Sequence, residues 1–343
     1  AKTGDFTKDA IFIINCRDSS YLKIGEGTNL MEVSLWVDPY EISEGDDPYK
    51  AFGKYDIPVQ TFGQDYLAKK LRLFWKYRND IECAVVGSSP AYFGFDPSYI
   101  SLPTLNMAHC GAGITTSMVV AKNYVLEHAS KLKVLILEFI AFSFDSDGYK
   151  DIPYLTGLKD SQGFILDVNY DFYKSSLPDN IKKKIDGYGQ PQWLGLDSTG
   201  FYIDKEGNRG KGWGEPTISG SDFSLSDSIV QFNLSLFTEV IDIATSRGIF
   251  VVAVNFPQNP AYQNTEMIGL LGPSHQTYNQ LASIMDSIQN SNGKFYFYDA
   301  DNGGNHDYTD DEAFDRNHLN FKGGAKIASR VDSIINVLVN GEK

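Results

Sequence analysis

Short apolar runs and amphipathic stripes alternate along the chain from about Gln64 onward, and this alternation restricts the fold more than any other feature. The runs at 83–86, 102–108, 134–139, 249–254 and 294–298 are short and predominantly apolar, so they read as strands buried on both faces. Between them the apolar period lengthens to that of a helix. Leu67, Leu71 and Phe74 form one stripe, followed by Ile114, Met118, Ala121 and Val125, then by Ile229, Phe232, Leu236 and Val240. Two more consist of Tyr278, Leu281, Ile284 and Ile288, and of Ile327, Val331, Ile334 and Leu338. Gly248 and Gly341 fall just past two of these stripes, where a helix C-cap favours a residue free to take positive φ. Strand and helix in alternation predict an α/β fold, a doubly wound parallel sheet with helices on both faces.

Two stretches stand outside this rhythm. Residues 1–60 carry β-like runs at 10–15 and 31–37, separated by the Gly-rich 25–28, and read as an N-terminal β-rich extension. From about Ser143 to Leu225 there is no clean period, but there are many Gly, Asp and Ser residues with aromatic clusters around Tyr170, Trp193, Tyr202 and Trp213. A structureless loop of that length does not suit a compact domain, so 143–225 is expected to be an insertion within a domain spanning 61–343. Setting aside about 60 N-terminal and about 80 inserted residues leaves roughly 200, the size of a single doubly wound domain.

Composition limits the partners. With 44 acidic and 30 basic side chains the net charge is −14, which argues against a nucleic-acid surface built on bulk positive charge. No stretch approaches the roughly 18 consecutive apolar residues of a membrane-spanning helix. Cys16, Cys83 and Cys110 are too scattered for a disulfide framework or a Cys-x-x-Cys metal site, and Cys83, at the head of an apolar run, reads as core. The chain does not open on Met and carries no signal-peptide pattern, which reads as a processed or truncated end. Its acidic, aromatic and Gly-rich composition leans toward a secreted or periplasmic protein.

In an open parallel sheet ligands bind at the carboxyl ends of the strands, so the residues following each run carry the functional reading. After the first run comes Gly87-Ser88-Ser89-Pro90, a sharp turn that projects small hydroxyls. After the second comes Asn106-Met107-Ala108-His109-Cys110-Gly111-Ala112-Gly113, where glycine lets backbone amides approach a ligand at a helix entry. His109 by itself reads as a packed side chain. After the last run, a polar loop ends in Asp315-Arg316-Asn317-His318-Leu319-Asn320. An Asp three residues before a His can reach its Nδ1, set the tautomer and leave Nε2 free to take a proton.

Together these pieces resemble the SGNH (GDSL-type) hydrolase superfamily over roughly residues 64–340 apart from the insertion, most specifically in the closing Asp-x-x-His-Leu-Asn with its downstream Gly-Ala. The resemblance implies a flavodoxin-like five-stranded sheet. It also implies Ser89 as nucleophile, within Gly-Ser-Ser where the family has Gly-Asp-Ser, His318 as general base and Asp315 as its orienting carboxylate. The amides of Ser89 and Gly111 would be oxyanion donors. The chain departs from the family in its third block, where Ile140-Ala141-Phe142-Ser143 stands in place of Gly-x-Asn-Asp and the oxyanion-donating Asn is missing. Variants that act on polysaccharide O-acyl groups look similar, and the resemblance implies a carboxylic ester hydrolase that needs no cofactor or metal.

The aromatic, Gly-rich and acidic insertion suits stacking and hydrogen bonding to a neutral sugar, with Trp193, Tyr202 and Trp213 as candidate substrate-binding residues, and packing of the insertion is the alternative use of these rings. The expected activity is removal of short acyl groups from carbohydrate esters. An O-acyltransferase of the same fold and an inactive carbohydrate-binding or scaffold protein are the rivals. A third is a metal site among Asp299, Asp301, Asp307, Asp310, Asp311 and Glu312, but their spacing does not match an EF-hand loop, and a solvated acidic loop is favoured.

Overall fold

Successive side chains of a strand point to opposite faces, and here both faces are covered. A computed structural model describes residues 70, 73, 74, 77–146, 196–202 and 210–341. The expected N-terminal extension, Trp193 and much of the 143–225 insertion lie outside the described residues. Strands β1 (Cys83–Val86), β2 (Thr104–Asn106), β3 (Val134–Phe139), β4 (Phe250–Asn255) and β5 (Phe295–Asp299) form one five-stranded sheet in the order β2-β1-β3-β4-β5. Every pairing in it is parallel. This is the doubly wound, flavodoxin-like order. It reverses between β1 and β3, which puts the topological switch point at their carboxyl ends.

The helices are α1 (Ser89–Gly94), α2 (Ile114–Val120), α3 (Ser228–Ser246), α4 (His275–Ser291) and α5 (Phe321–Asn340). Ala84, Val86, Leu135, Leu137, Val251 and Ala253 pack with residues of α2, α3 and α4. The intervening Cys83, Val85, Val134, Ile136, Val252 and Val254 pack with residues of α1 and α5 on the other face. On α5, Ile327, Val331 and Ile335 are fully buried, and burial of each aliphatic side chain contributes about 1.5–3 kcal/mol. Gly248 and Gly341 both take positive φ past their helices, at 86° and 67°. Cys83 is a core residue whose thiol is pushed up to about 12 by burial.

One expectation needs correction. In α3 the buried face is Val230, Leu234, Phe237, Val240, Ile241 and Ala244, and Phe232 is 52 % exposed, because the helix carries apolar residues on two overlapping stripes. Of the first helical stripe, Phe74 is fully buried and Leu67 and Leu71 lie outside the described residues; Lys70, one turn before Phe74, is also fully enclosed. Its Nζ donates to Asn106 O (2.7 Å), Asn106 Oδ1 (3.2 Å) and Gly200 O (2.5 Å) and lies 4.9 Å from the centre of the Tyr92 ring. Asn106 Nδ2 in turn donates to Ala91 O and Phe95 O, tying this network to α1.

Candidate active site

The chain leaves β1 at Val86 and turns through Gly87 and Ser88 directly into α1, with Ser89 as its first residue and Pro90 in its first turn. Proline is tolerated there because the amide it lacks has no intrahelical partner. Glycine at position 87 is required by close approach: a Cβ would lie 2.4 Å from Glu138 Oε2 and 2.5 Å from Glu138 Cβ. Strand β3 thus delivers its one charged side chain against the underside of the turn.

His318 comes from the far end of the chain. A short antiparallel hairpin, β6 (Ala313–Asp315) and β7 (His318–Leu319), sets Asp315 opposite His318 in register. Asn320 then caps α5, accepting from the amides of Lys322 and Gly323. Contact between α5 and α1 is close enough that a Cβ on Gly324 would meet Gly94 C at 3.2 Å, which anchors the hairpin beside Ser89.

These elements bring the three expected side chains together. His318 Nε2 lies 2.8 Å from Ser89 Oγ, and His318 Nδ1 lies 2.8 and 3.0 Å from the two oxygens of Asp315. A carboxylate can only accept, so Nδ1 carries the proton and Nε2 presents a lone pair to the Ser89 hydroxyl. Asp315 also accepts from the amides of Asn317 (2.8 Å) and His318 (3.1 Å). Burial opposes its ionisation, but the hydrogen bonds and charge of His318 with these amides hold its carboxyl below the ordinary value.

Around the turn, the amides of Ser89 and Gly111 have no hydrogen-bond partner among the described residues. Gly111 is exposed at φ 79° in the loop after β2, and that loop is tied to the Gly87–Ser89 turn by the His109 amide donating to Gly87 O at 3.2 Å. After β3 the chain enters a 3-10 turn, and Ser143 Oγ donates to Ile140 O at 2.7 Å, so its hydroxyl is committed to the backbone.

Glu138 is the residue that sequence reasoning missed. Its Oε2 accepts from the amides of Ser88 (2.7 Å) and Ala91 (3.0 Å), and its Oε1 from Ser88 Oγ (2.8 Å). Burial pushes its carboxyl up to about 7, against those hydrogen bonds and the charge of His318. The signal was a single acid inside an otherwise apolar strand, Val-Leu-Ile-Leu-Glu-Phe.

The expected binding aromatics separate. Tyr202 meets Phe93 edge-on at 5.1 Å, and Phe93 meets the His318 ring at 5.4 Å, so Tyr202 belongs to the wall beside the histidine. Trp213 is 5 % exposed with its ring 5.7 Å from that of His306, and offers no open face to a sugar, a correction to its expected role. His109 is packed in the interior, and burial, followed by the charge of Lys70, lowers its ring to about 3.

The carboxylates of the acidic loop are held mostly by neighbouring segments. Asp301 accepts from the amides of Gln258 and Gly304, Asp307 from Arg330, Asp310 from the Trp213 amide and Asp311 from Lys322. Among the described residues no group of three or more His, Cys, Asp or Glu is arranged to hold a metal ion. Nor is any described helix long and apolar enough to cross a membrane.

Fold and site together define a doubly wound α/β protein with a hydrogen-bonded Ser–His–Asp triad at the switch point of its sheet. Neither a family model nor a curated protein matches the chain.

Proposed function

We propose that this chain is a serine esterase of the SGNH type that removes short acyl groups, acetyl foremost, from carbohydrate esters through an acyl-enzyme on Ser89. The observation that carries the reading is the continuous relay from Ser89 Oγ through His318 to Asp315, with contacts of 2.8 Å at both joints. Ser89 Oγ attacks the ester carbonyl carbon while His318 Nε2 takes its proton, and the resulting oxyanion is met by the amides of Ser89 and Gly111. The tetrahedral intermediate collapses, the carbonyl re-forms, and His318 returns the proton to the departing sugar oxygen. Water, deprotonated by the same nitrogen, then releases the acid and restores Ser89. Asp315 stays ionised throughout and stabilises the imidazolium. The aromatic wall of Phe93 and Tyr202 beside His318 supports a sugar as the alcohol portion, and a net charge of −14 disfavours anionic lipid headgroups.

The test is hydrolysis of a short-chain aryl ester and of an acetylated oligosaccharide. Ser89→Ala and His318→Ala are each expected to lower kcat by about 10³-fold or more. Ser88→Ala should keep the greater part of the activity, since two backbone donors remain on Glu138. Wild-type rates no greater than those of Ser89→Ala and His318→Ala on both substrates would end the esterase reading. New ester on an added sugar acceptor, in place of free acetate, would reassign the chain as an acyltransferase.

A further inference from the structure

We infer that Glu138 is the positioning residue of the nucleophile turn, and that it acts through its hydrogen bonds and not through its charge. Its activity readout rests on the esterase reading. Three donors converge on this one carboxyl, the Ser88 amide, the Ser88 hydroxyl and the Ala91 amide, and they bracket Ser89 in sequence. The first amides of a helix have no intrahelical acceptor, and at the start of α1 Glu138 supplies one to Ser88 and Ala91. With Ser88 and Ala91 fixed, the Ser89 amide is left to face outward and Ser89 Oγ is aimed at His318. Gly87 is the complement of this arrangement, because any side chain there would occupy the volume of the Glu138 side chain.

The chemistry of the pair makes charge dispensable. A hydroxyl both donates and accepts. When Glu138 is ionised, Ser88 Oγ donates to Oε1; when it is protonated, the acid O–H donates back to Ser88 Oγ and Oε2 keeps both amides. All three contacts survive either way. Burial favours the neutral form and outweighs the hydrogen bonds and the charge of His318, which act the other way. A neutral group is also the better neighbour for an oxyanion hole, where a fixed negative charge would oppose the charge that develops in the transition state.

Gln reproduces the neutral acid: its carbonyl accepts from both amides and its NH₂ donates to Ser88 Oγ. E138A is expected to lower kcat about 100-fold with KM within about threefold, the signature of a displaced nucleophile. E138Q is expected to restore kcat to within about threefold of wild type. A wild-type kcat in E138A overturns the assignment, and an E138Q as impaired as E138A overturns the claim that charge is dispensable. If near-ultraviolet circular dichroism shows E138A unfolded, E138Q decides alone, and a loss greater than about tenfold refutes the inference. Should wild type hydrolyse no ester, the esterase reading fails separately, and crystal structures of wild type, E138Q and E138A read the positioning directly. The Ser89 Oγ to His318 Nε2 separation should stay within hydrogen-bond reach in E138Q and exceed about 3.5 Å in E138A. An unchanged separation in E138A overturns the proposal.

Discussion

Replacing Glu138 with Gln should stabilise the protein at alkaline pH relative to acid pH, and the size of that change follows from burial. Glu138 is 8 % exposed, and its carboxyl is pushed from an ordinary 4.5 up to about 7. The folded chain therefore holds this proton more tightly than the unfolded chain, and wild-type stability is lost as pH rises from about 4.5 through about 7. At 1.36 kcal/mol per pKa unit, the interval amounts to about 3 kcal/mol, fully developed by pH 8 and absent at pH 4. Gln has no such equilibrium and keeps the same three hydrogen bonds. The stability of E138Q minus that of wild type should thus grow by about 3 kcal/mol between pH 4 and pH 8, whatever constant offset the substitution brings. Asp301, also raised to about 7 by burial, adds a slope of the same sign to both proteins and cancels in the difference. Urea unfolding followed by circular dichroism at pH 4, 6 and 8 measures it. A difference flat to within about 1 kcal/mol across that range would refute the reasoning, since it would mean that Glu138 titrates as it does in water.

Other substitutions test the remaining supports. Asp315→Asn lets an amide group face Nδ1 and permits the tautomer that blocks Nε2, so kcat on an aryl acetate should fall about 10⁴-fold; a loss under about tenfold would remove Asp315 from the relay. Lys70→Ala withdraws the donor from Asn106 O, Asn106 Oδ1 and Gly200 O, all met within 3.2 Å, and should lower stability in urea by about 3 kcal/mol or more. A change below about 1 kcal/mol would show that water replaces the ammonium freely. Gly87→Ala drives a methyl to 2.4 Å from Glu138 Oε2 and 2.5 Å from Glu138 Cβ and should cost about 2 kcal/mol or more, part of it regained in the double variant with Glu138→Gly, which removes both atoms. Additive losses in the double variant would deny that these two residues compete for one volume.

The order of strands and helices was legible because the central strands bury both faces, so their sequences are predominantly apolar, and each helix shows its own stripe. The observed bounds of β1 and β3 coincide with the apolar runs at 83–86 and 134–139. β2 is shorter than its run, Thr104–Asn106 against 102–108, because Met107 and Ala108 remain buried after leaving the ladder, so burial outlasts strand pairing. The stripe in α3 was misplaced for a related reason: Ile229, Phe232 and Leu236 have helical spacing, but they lie beside the buried face of Val230, Leu234, Phe237 and Ile241. Apolarity alone cannot choose between two adjacent stripes. Lys70 was hidden by the opposite bias, since a lysine in a helical pattern reads as surface unless the oxygens that receive it are known.

The pairing of Asp315 with His318 was legible from a local rule, whereas Ser89 was singled out through the resemblance. Ser89 lies in the short turn that leaves β1, and Asp315 and His318 are three residues apart on one hairpin. Glu138 obeys no local rule, since the turn it holds lies about 50 residues earlier and meets it only through the pairing of β1 with β3. Physical cost still marks it in the sequence. A carboxylate in a run buried on both faces is strongly disfavoured unless donors reach it, and the donors must come from the end of a neighbouring strand, where the backbone leaves its ladder. The same logic accounts for Ser88. A second carboxylate at that position would lie against Glu138, with like charges in an apolar enclosure, and one of them would be forced to neutralise. A hydroxyl satisfies the buried acid in both of its protonation states and leaves the turn neutral. Gly87, Ser88 and Glu138 therefore work as one unit: glycine makes the space, glutamate fills it, and serine is the partner that lets the acid stay there at any pH near neutrality.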